Sequence, residues 1–447
     1  MSHLRAISFL ALSRAERVKA GLLSGWFFLV ITTLWLLKPI RQASLLSHLG
    51  SSEIPYVRLG AVVVVGIVVA VYSRLVDRFT RLDVARGTSL LFSLLLVAMW
   101  LALTLGGEAL GGQRWFVWFV FIMVDVYSTV MVGLFWTYAN DVVSRGEADK
   151  LYGPIGIGGI LGGVAGGALV DVLVGVTGHV NLLLVCAGLG VGAAAMAWIT
   201  ERTVKPPPRV VAPKTEGSWG TALDGLREVA HSRYLLLIVG VVIGYEFAAA
   251  MTDFVVSVIF ERSFTGQDEL AKMFGRLGWI VSLTALASQI LLVPLLLPKK
   301  RVALLIPPLA MGLAVVGLAI VPVVWVAIVL SAADRGLNYS LQQVTKETLY
   351  VPLTDAQKYK AKALIDMVID RLGKALSAIA LMIIIASSGV SITASLVVAF
   401  VAVLLWAFSA HYLGKAYARK VGADQPARPE ERPVNLARPV ADAPEPR

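Results

Sequence analysis

Apolar residues fall in long blocks along this chain, without strand-like alternation. The runs lie near 22–41, 56–76, 87–105, 115–140, 151–175, 180–199, 234–260, 275–297, 302–320, 322–347, 362–387 and 391–412. About twenty apolar residues in a helix cross the ~30 Å hydrocarbon core of a bilayer. The pattern predicts about twelve transmembrane helices, several of them long enough to tilt or protrude. Two stretches break it. Residues 201–233 carry Pro206-Pro207-Pro208 among Arg202, Lys205, Arg209 and Lys214. Within them Thr221 precedes Asp224 by three, and Trp219, Leu223, Leu226 and Ala230 share one face, which predicts a short amphipathic helix in a linker. From 413 to 447 the chain reads as a tail, Pro-, Ala- and charge-rich from about Ala423, and is expected to be largely disordered.

Composition agrees with membrane insertion: 57% of the 447 residues are hydrophobic and 15% charged, against roughly 25% charged in soluble domains. The formal charge of +11 could suggest a nucleic-acid partner, but the cations sit between apolar runs. With the N-terminus inside, alternate loops hold Arg74, Arg78, Arg81 and Arg86; Arg145 and Lys150; Arg202 to Arg233; Lys299 to Arg301; and Lys358, Lys360 and Lys362. The other loops hold few cations, among them Arg114, Arg262, Lys272 and Arg276. That asymmetry places both termini in the cytoplasm of a bacterial inner-membrane, multi-pass protein, its partners being the bilayer and a solute rather than nucleic acid. No cleavable signal peptide is expected, since Ala6–Leu12 is a short apolar stretch followed by Arg14, Glu16, Arg17 and Lys19. The lone Cys186 excludes an internal disulfide. Residues 1–200 and 234–412 read as two six-helix halves joined by the 201–233 linker, an all-α plan of major-facilitator type.

A charged side chain at bilayer depth costs at least roughly 2.5–3.5 kcal/mol, so such residues face the bundle interior or a water-filled path. Span one carries Lys38 and Arg41; span four Asp125, with Thr129, Trp136 and Asn140 on roughly the same face; span seven Glu246 and Asp253. Span ten carries Asp334 and Arg335, followed by Tyr339, Gln342 and Lys346 at helical spacing; span eleven carries Asp366, Asp370, Arg371 and Lys374. Structural readings stand beside these. Asp370 and Lys374 fit an in-helix ion pair, Lys38 and Arg41 could snorkel to headgroups, Asp334 could serve a structural gate, and Lys346 could pair with Glu347 or Asp141 near the surface. Together the set points to a path for an anionic solute. The Asp77-Arg78 loop charges resemble, in degraded form, the inside-loop motif of major facilitators and suggest a gating role. Gly158, Gly162 and Gly166, with Gly159, Gly163 and Gly167, form two four-residue repeats in span five, as close helix packing in lipid requires. No strand precedes them, so they are not a dinucleotide fingerprint. No metal-ligand cluster, nucleophile elbow or P-loop is present in the sequence, so an enzyme, a cofactor or a metal is not expected.

Two stretches resemble the ATP/ADP translocases of plastids and intracellular bacteria. Tyr138-Ala139-Asn140-Asp141, then Glu147-Ala148-Asp149-Lys150-Leu151-Tyr152-Gly153-Pro154, is similar to that family's loop between spans four and five. Asn338-Tyr339-Ser340-Leu341 through Lys346-Glu347, Tyr350-Val351-Pro352-Leu353, Lys358, Lys360, Lys362, Asp366 and Gly373-Lys374 is similar in order and spacing over nearly forty residues. A looser likeness joins Lys38-Pro39-Ile40-Arg41 to the family's end of span one, where Arg41 fits and Gln42 and Ser44 depart. The resemblance implies a twelve-span fold, a nucleotide solute such as ATP or ADP, and nucleotide-binding or charge-pairing roles for Arg41, Glu147, Lys346 and their neighbours. Alternating access by exchange is the expected mechanism: Lys38, Arg41, Arg335 and Lys346 attract the anion, Tyr339 or Trp136 stacks on a base, and Asp253, Glu246 or Asp366 pairs with the cations when the solute leaves. Asp141, Glu147 and Glu347 join Asp77 and Arg78 as candidate gates. Two alternatives remain: a proton-coupled facilitator for another organic anion, and a membrane sensor that binds a ligand or partner without transporting it.

Overall fold

The computed structural model describes residues 12–204, 227–350, 352–353, 361–362 and 364–424; the side chains of 73–78, 81, 145–146, 148–149, 366–367 and 422–424 lie outside the description. Most of the expected linker helix, including Thr221, Asp224 and Trp219, falls outside the described residues, as does the chain after Asp424.

Within them the protein is all-helical. In lipid no water satisfies a free backbone N–H or C=O, so each apolar run closes its hydrogen bonds on itself. The helices are α1 (Arg14–His48), α2 (Ile54–Arg78), α3 (Arg81–Gly111), α4 (Arg114–Val142), α5 (Arg145–Thr203), α6 (Arg233–Ser263), α7 (Gln267–Leu296), α8 (Lys300–Ile320), α9 (Val324–Leu337), α10 (Gln343–Leu349), α11 (Asp370–Ser388) and α12 (Ile392–Asp424). Ten helices are individually long and apolar enough to cross a membrane. One of them, α5, is two arms broken at Gly178, whose φ of 75° suits a residue without Cβ. The shorter α9 continues through a π turn at Asn338–Gln342 into α10 as a further crossing. With these two additions the arrangement fits the expected twelve spans. The last helix runs twelve residues past the expected end at 412.

The glycine repeats explain how the halves are built and joined. A Cβ on Gly162 would lie 2.6 Å from the Phe28 carbonyl oxygen, and one on Gly166 2.6 Å from that of Thr32, so this face of α5 touches the α1 backbone. The other face crosses to the second half. A Cβ on Gly167 would lie 2.5 Å from the Trp279 amide nitrogen and 2.8 Å from the Gly275 carbonyl oxygen of α7, and one on Gly163 2.6 Å from Ser282 Oγ. Only glycine permits backbones to approach so closely.

Polar contacts across the halves cluster at the end carrying residues 48–53, 178 and 263–267. Asp171 accepts from Arg276 at 3.0–3.1 Å and from the Trp279 indole at 3.1 Å. The Asp268 carboxylate takes the His179 backbone N–H at 2.9 Å and meets its ring Nδ1 at 2.6 Å. Glu261 accepts from the Ser51 amide at 3.1 Å, and His48 meets Gln267 at 3.2 Å. This end is latched shut.

Candidate functional site

Below the latch lies a cavity of about 180 Å³ lined by Trp35, Lys38, Arg41, Gln42 and Arg58 of the first half and Tyr245, Asp253, Phe274, Arg335 and Tyr339 of the second. It adjoins a space of about 550 Å³ that shares Arg41, Arg58, Tyr245, Asp253 and Tyr339 and adds Asp125, Thr129, Glu246, Asp370, Arg371 and Lys374. Tyr339, mid-chain in a membrane crossing, keeps 51% of its surface exposed because it borders this space.

Six cations line the combined cavity, Lys38, Arg41, Arg58, Arg335, Arg371 and Lys374, against four carboxylates, Asp125, Glu246, Asp253 and Asp370. The walls therefore carry an excess of positive charge. Arg41 binds Asp125 within the first half, and its guanidinium rests 4.3 Å from the centre of the Phe121 ring. Lys374 pairs with Asp370 at 2.7 Å, one turn apart on α11, so the in-helix ion pair read from spacing is present and also borders the cavity. Asp253 on α6 binds Arg335 and faces Arg58 at 3.6 Å. Lys38 lies 4.8 Å over the Trp35 ring and has no carboxylate within ion-pair distance among the described residues. Lys38 and Arg41 face this space; they do not snorkel to headgroups.

Sequence spacing alone groups residues that the structure separates. Trp136 shares a helix face with Asp125 but stands three turns away, about 16 Å along the axis at 1.5 Å per residue. There it packs against Phe27, Phe135 and Tyr152, while Asn140 accepts the Tyr152 hydroxyl at 2.7 Å. Neither lines the cavity. The stripe Arg335, Tyr339, Gln342, Lys346 assumes 3.6 residues per turn, but the π turn at Asn338–Gln342 uses a wider one. The stripe therefore rotates out of register after Tyr339. Among the described residues the buried side-chain oxygen of Gln342 has no hydrogen-bond partner, and Lys346 is absent from the lining. Asp366 lies in a second π turn, Ile365–Ile369, and its side chain is outside the described set.

Two of the candidate gates, Glu147 and Glu347, pair within their own halves in this conformation. Glu147 caps α5, accepting from the Ser144 amide at 3.0 Å and hydroxyl at 2.8 Å, and pairs with Lys19 of α1 at 3.0 Å. Burial opposes the Glu147 charge, but the Ser144 hydrogen bonds and Lys19 outweigh it and hold the carboxyl below the usual carboxylate range. Glu347 pairs with Lys362. Asp141 is exposed, and the side chains of Asp77 and Arg78 fall outside the description.

Sequence reading missed Arg58, a cation two residues into an apolar run that resembled a headgroup-facing flank. Because α2 begins at Ile54, Arg58 falls on its second turn and reaches the second half, where it donates to the Ala250 carbonyl at 3.5 Å. Asp171 and Asp268 were also missed. Both are acids near span ends in a chain whose corresponding loops hold little charge, and that scarcity was the available signal.

The sequence model of the TLC ATP/ADP transporter family matches residues 98–318 and 309–417. The chain belongs to this family. Among curated family members, ADP,ATP carrier protein 2 of Chlamydia pneumoniae is 23% identical over 361 residues, covering 66% of this chain and 65% of its own. ADP,ATP carrier protein 1, chloroplastic, of Arabidopsis thaliana is 25% identical over 330 residues, covering 64% and 52%. The chain thus spans half to two thirds of the length of these relatives. In fold it is similar to the nucleoside transporter NupG (TM-score 0.57, 15% identity, 92% of this chain and 99% of that one) and to the POT family transporter PepTSo (TM-score 0.60, 13% identity, 91% and 98%). The likeness to these two transporter structures extends over nearly the whole helical fold.

Proposed function

We propose that the protein is a secondary transporter for a phosphate-bearing solute, a nucleotide such as ATP or ADP, working by exchange through alternating access. The observation that carries this reading is one cavity between two halves with more cations than carboxylates, beside the exposed ring of Tyr339. Arg41, Arg58 and Arg335 present planar donors suited to bidentate phosphate contacts, and Lys38, lacking a carboxylate, supplies a point charge. Trp35, Tyr245, Phe274 and Tyr339 offer aromatic surface for a base. The names of the curated relatives support the same class of solute.

In this reading the halves rock about the cavity, and the chain lies in a bacterial inner membrane with both termini in the cytoplasm. The latched end then faces outward, so the structure represents an inward-facing state. Residues 1–200 and 234–412 are the two moving bodies. Buried Asp334, which has no ion-pair partner among the described residues, supports a second reading in which a proton accompanies another organic anion. Proteoliposomes loaded with ADP should take up labelled ATP, and a pH gradient should not drive uptake in place of internal nucleotide. Arg335→Ala or Arg41→Ala should weaken ATP binding in calorimetry by roughly 1.5–3 kcal/mol, the worth of a charge-assisted hydrogen bond, and Arg335→Lys should recover part of it. Uptake that needs no internal nucleotide but follows protons would replace this reading with the second one; unchanged ATP affinity in both alanine variants would remove the anion site.

A further inference from the structure

Among the described cavity carboxylates, Asp253 differs from the others in what it joins. Arg41 and Asp125 belong to the first half, and Lys374 and Asp370 to the second. Asp253 sits on α6 of the second half; one carboxylate oxygen binds Arg335 of the same half and the other faces Arg58 of the first at 3.6 Å. The contact continues along α6: Arg58 donates to the Ala250 carbonyl at 3.5 Å one turn before, and Gln42 donates to the Ser257 hydroxyl at 3.1 Å one turn after. Both partners of Asp253 also line the cavity. In this structure one carboxylate therefore occupies two guanidinium groups that an incoming phosphate would need.

We propose that Asp253 is an internal substitute for the solute anion. In the empty protein it neutralises Arg58 and Arg335 and ties the halves together at the latched end. A bound phosphate takes over the two guanidiniums and frees Asp253, replacing a tie between fixed side chains by one through a mobile solute, so the loaded protein changes conformation readily and the empty one does not. This is the asymmetry an exchanger needs, since an empty carrier that reoriented freely would leak solute in one direction. The proposal rests on the transport reading above and assigns Asp253 a coupling role instead of a ligand role. The two roles predict opposite effects on binding. A ligand's removal weakens affinity, whereas removal of a competing anion strengthens it.

Asp253→Asn keeps the side-chain size and removes the charge. In calorimetry it should bind ATP about 10-fold tighter or more, the scale of one lost competing charge-assisted contact. In proteoliposomes it should release preloaded labelled ATP without external nucleotide, whereas the unsubstituted protein should require it. Asp253→Glu should restore dependence on external nucleotide. A readout independent of solute is labelling of Ser257→Cys, a seam position 3% exposed, by an impermeant thiol reagent in nucleotide-free protein. Asp253→Asn should raise its rate about 10-fold, with elution and melting temperature confirming the fold. Weaker ATP binding, or unchanged labelling and retained strict exchange in Asp253→Asn, would overturn the proposal. If the unsubstituted protein neither binds nor exchanges ATP, the nucleotide reading fails, and the labelling arm alone decides whether Asp253 ties the halves.

Discussion

Replacing Gly167 by alanine tests whether the α5–α7 seam belongs to one conformation only. The added methyl carbon would sit 2.5 Å from the Trp279 amide nitrogen, 2.8 Å from the Gly275 carbonyl oxygen and 3.1 Å from the Gly278 carbonyl carbon, all backbone atoms of the opposite half. Ordinary contact begins near 3.4 Å, so the two helices must part by about 1 Å. No rotamer change relieves a clash with backbone. Overpacking of this kind costs roughly 1–3 kcal/mol. The penalty applies to the latched state but not to one in which the seam has opened. The ratio of open to latched protein should rise by the corresponding ~5- to 150-fold. Gly166→Ala is the control: its methyl carbon would meet the Thr32 carbonyl oxygen at 2.6 Å and Trp35 Cβ at 2.7 Å, both within the same half. That contact persists in every conformation, so Gly166→Ala should lower the melting temperature without favouring the open seam. The assay is labelling of Ser257→Cys by an impermeant thiol reagent, beside melting curves in detergent; native Cys186 is buried. Faster labelling with little thermal loss is expected for Gly167→Ala, and the reverse for Gly166→Ala. If both variants lose stability equally and neither changes labelling, the seam is static packing and the argument is wrong.

The cap of α5 makes stability depend on pH. The folded Glu147 carboxyl is held below its unfolded value, so its stabilisation is complete above about pH 4.3 and is lost as pH falls through the lower folded value. Glu147→Gln keeps the capping acceptor and removes the charge; it should destabilise the protein by roughly 0.3–1 kcal/mol at pH 7, the usual worth of a carboxylate at a helix N-terminus, and the gap to the unsubstituted protein should close in melting scans as pH drops below 4; a constant gap would refute the charge's role. Topology can be read from two exposed positions: Arg114→Cys should react with an impermeant reagent on intact cells and Lys150→Cys only after permeabilisation, and the opposite pattern would invert the assigned orientation.

Much of the architecture was legible in the sequence because transfer into lipid is a local property. Twenty apolar residues commit a segment to a helix whatever its neighbours are, so the spans emerged with most ends displaced by a turn or two and the last by about three. The charges within them announced a polar interior for the same reason, since Lys38, Arg41, Asp253 and Arg335 could not face lipid. The glycine repeats announced close packing, though not that one face serves α1 and the other the opposite half. Tertiary structure alone decided which charges meet. Arg335 and Asp253 are 82 residues apart in the chain, and nothing in either span marks the other as its partner. It also decided that a π turn carries Gln342 and Lys346 off the stripe of Tyr339, that Arg58 belongs to the cavity, and that Asp253 joins the two halves. Helical periodicity is set by the backbone and can be read along one segment; pairing between segments depends on the tilt, rotation and depth of each helix in the bundle, and those are fixed only when all of them pack.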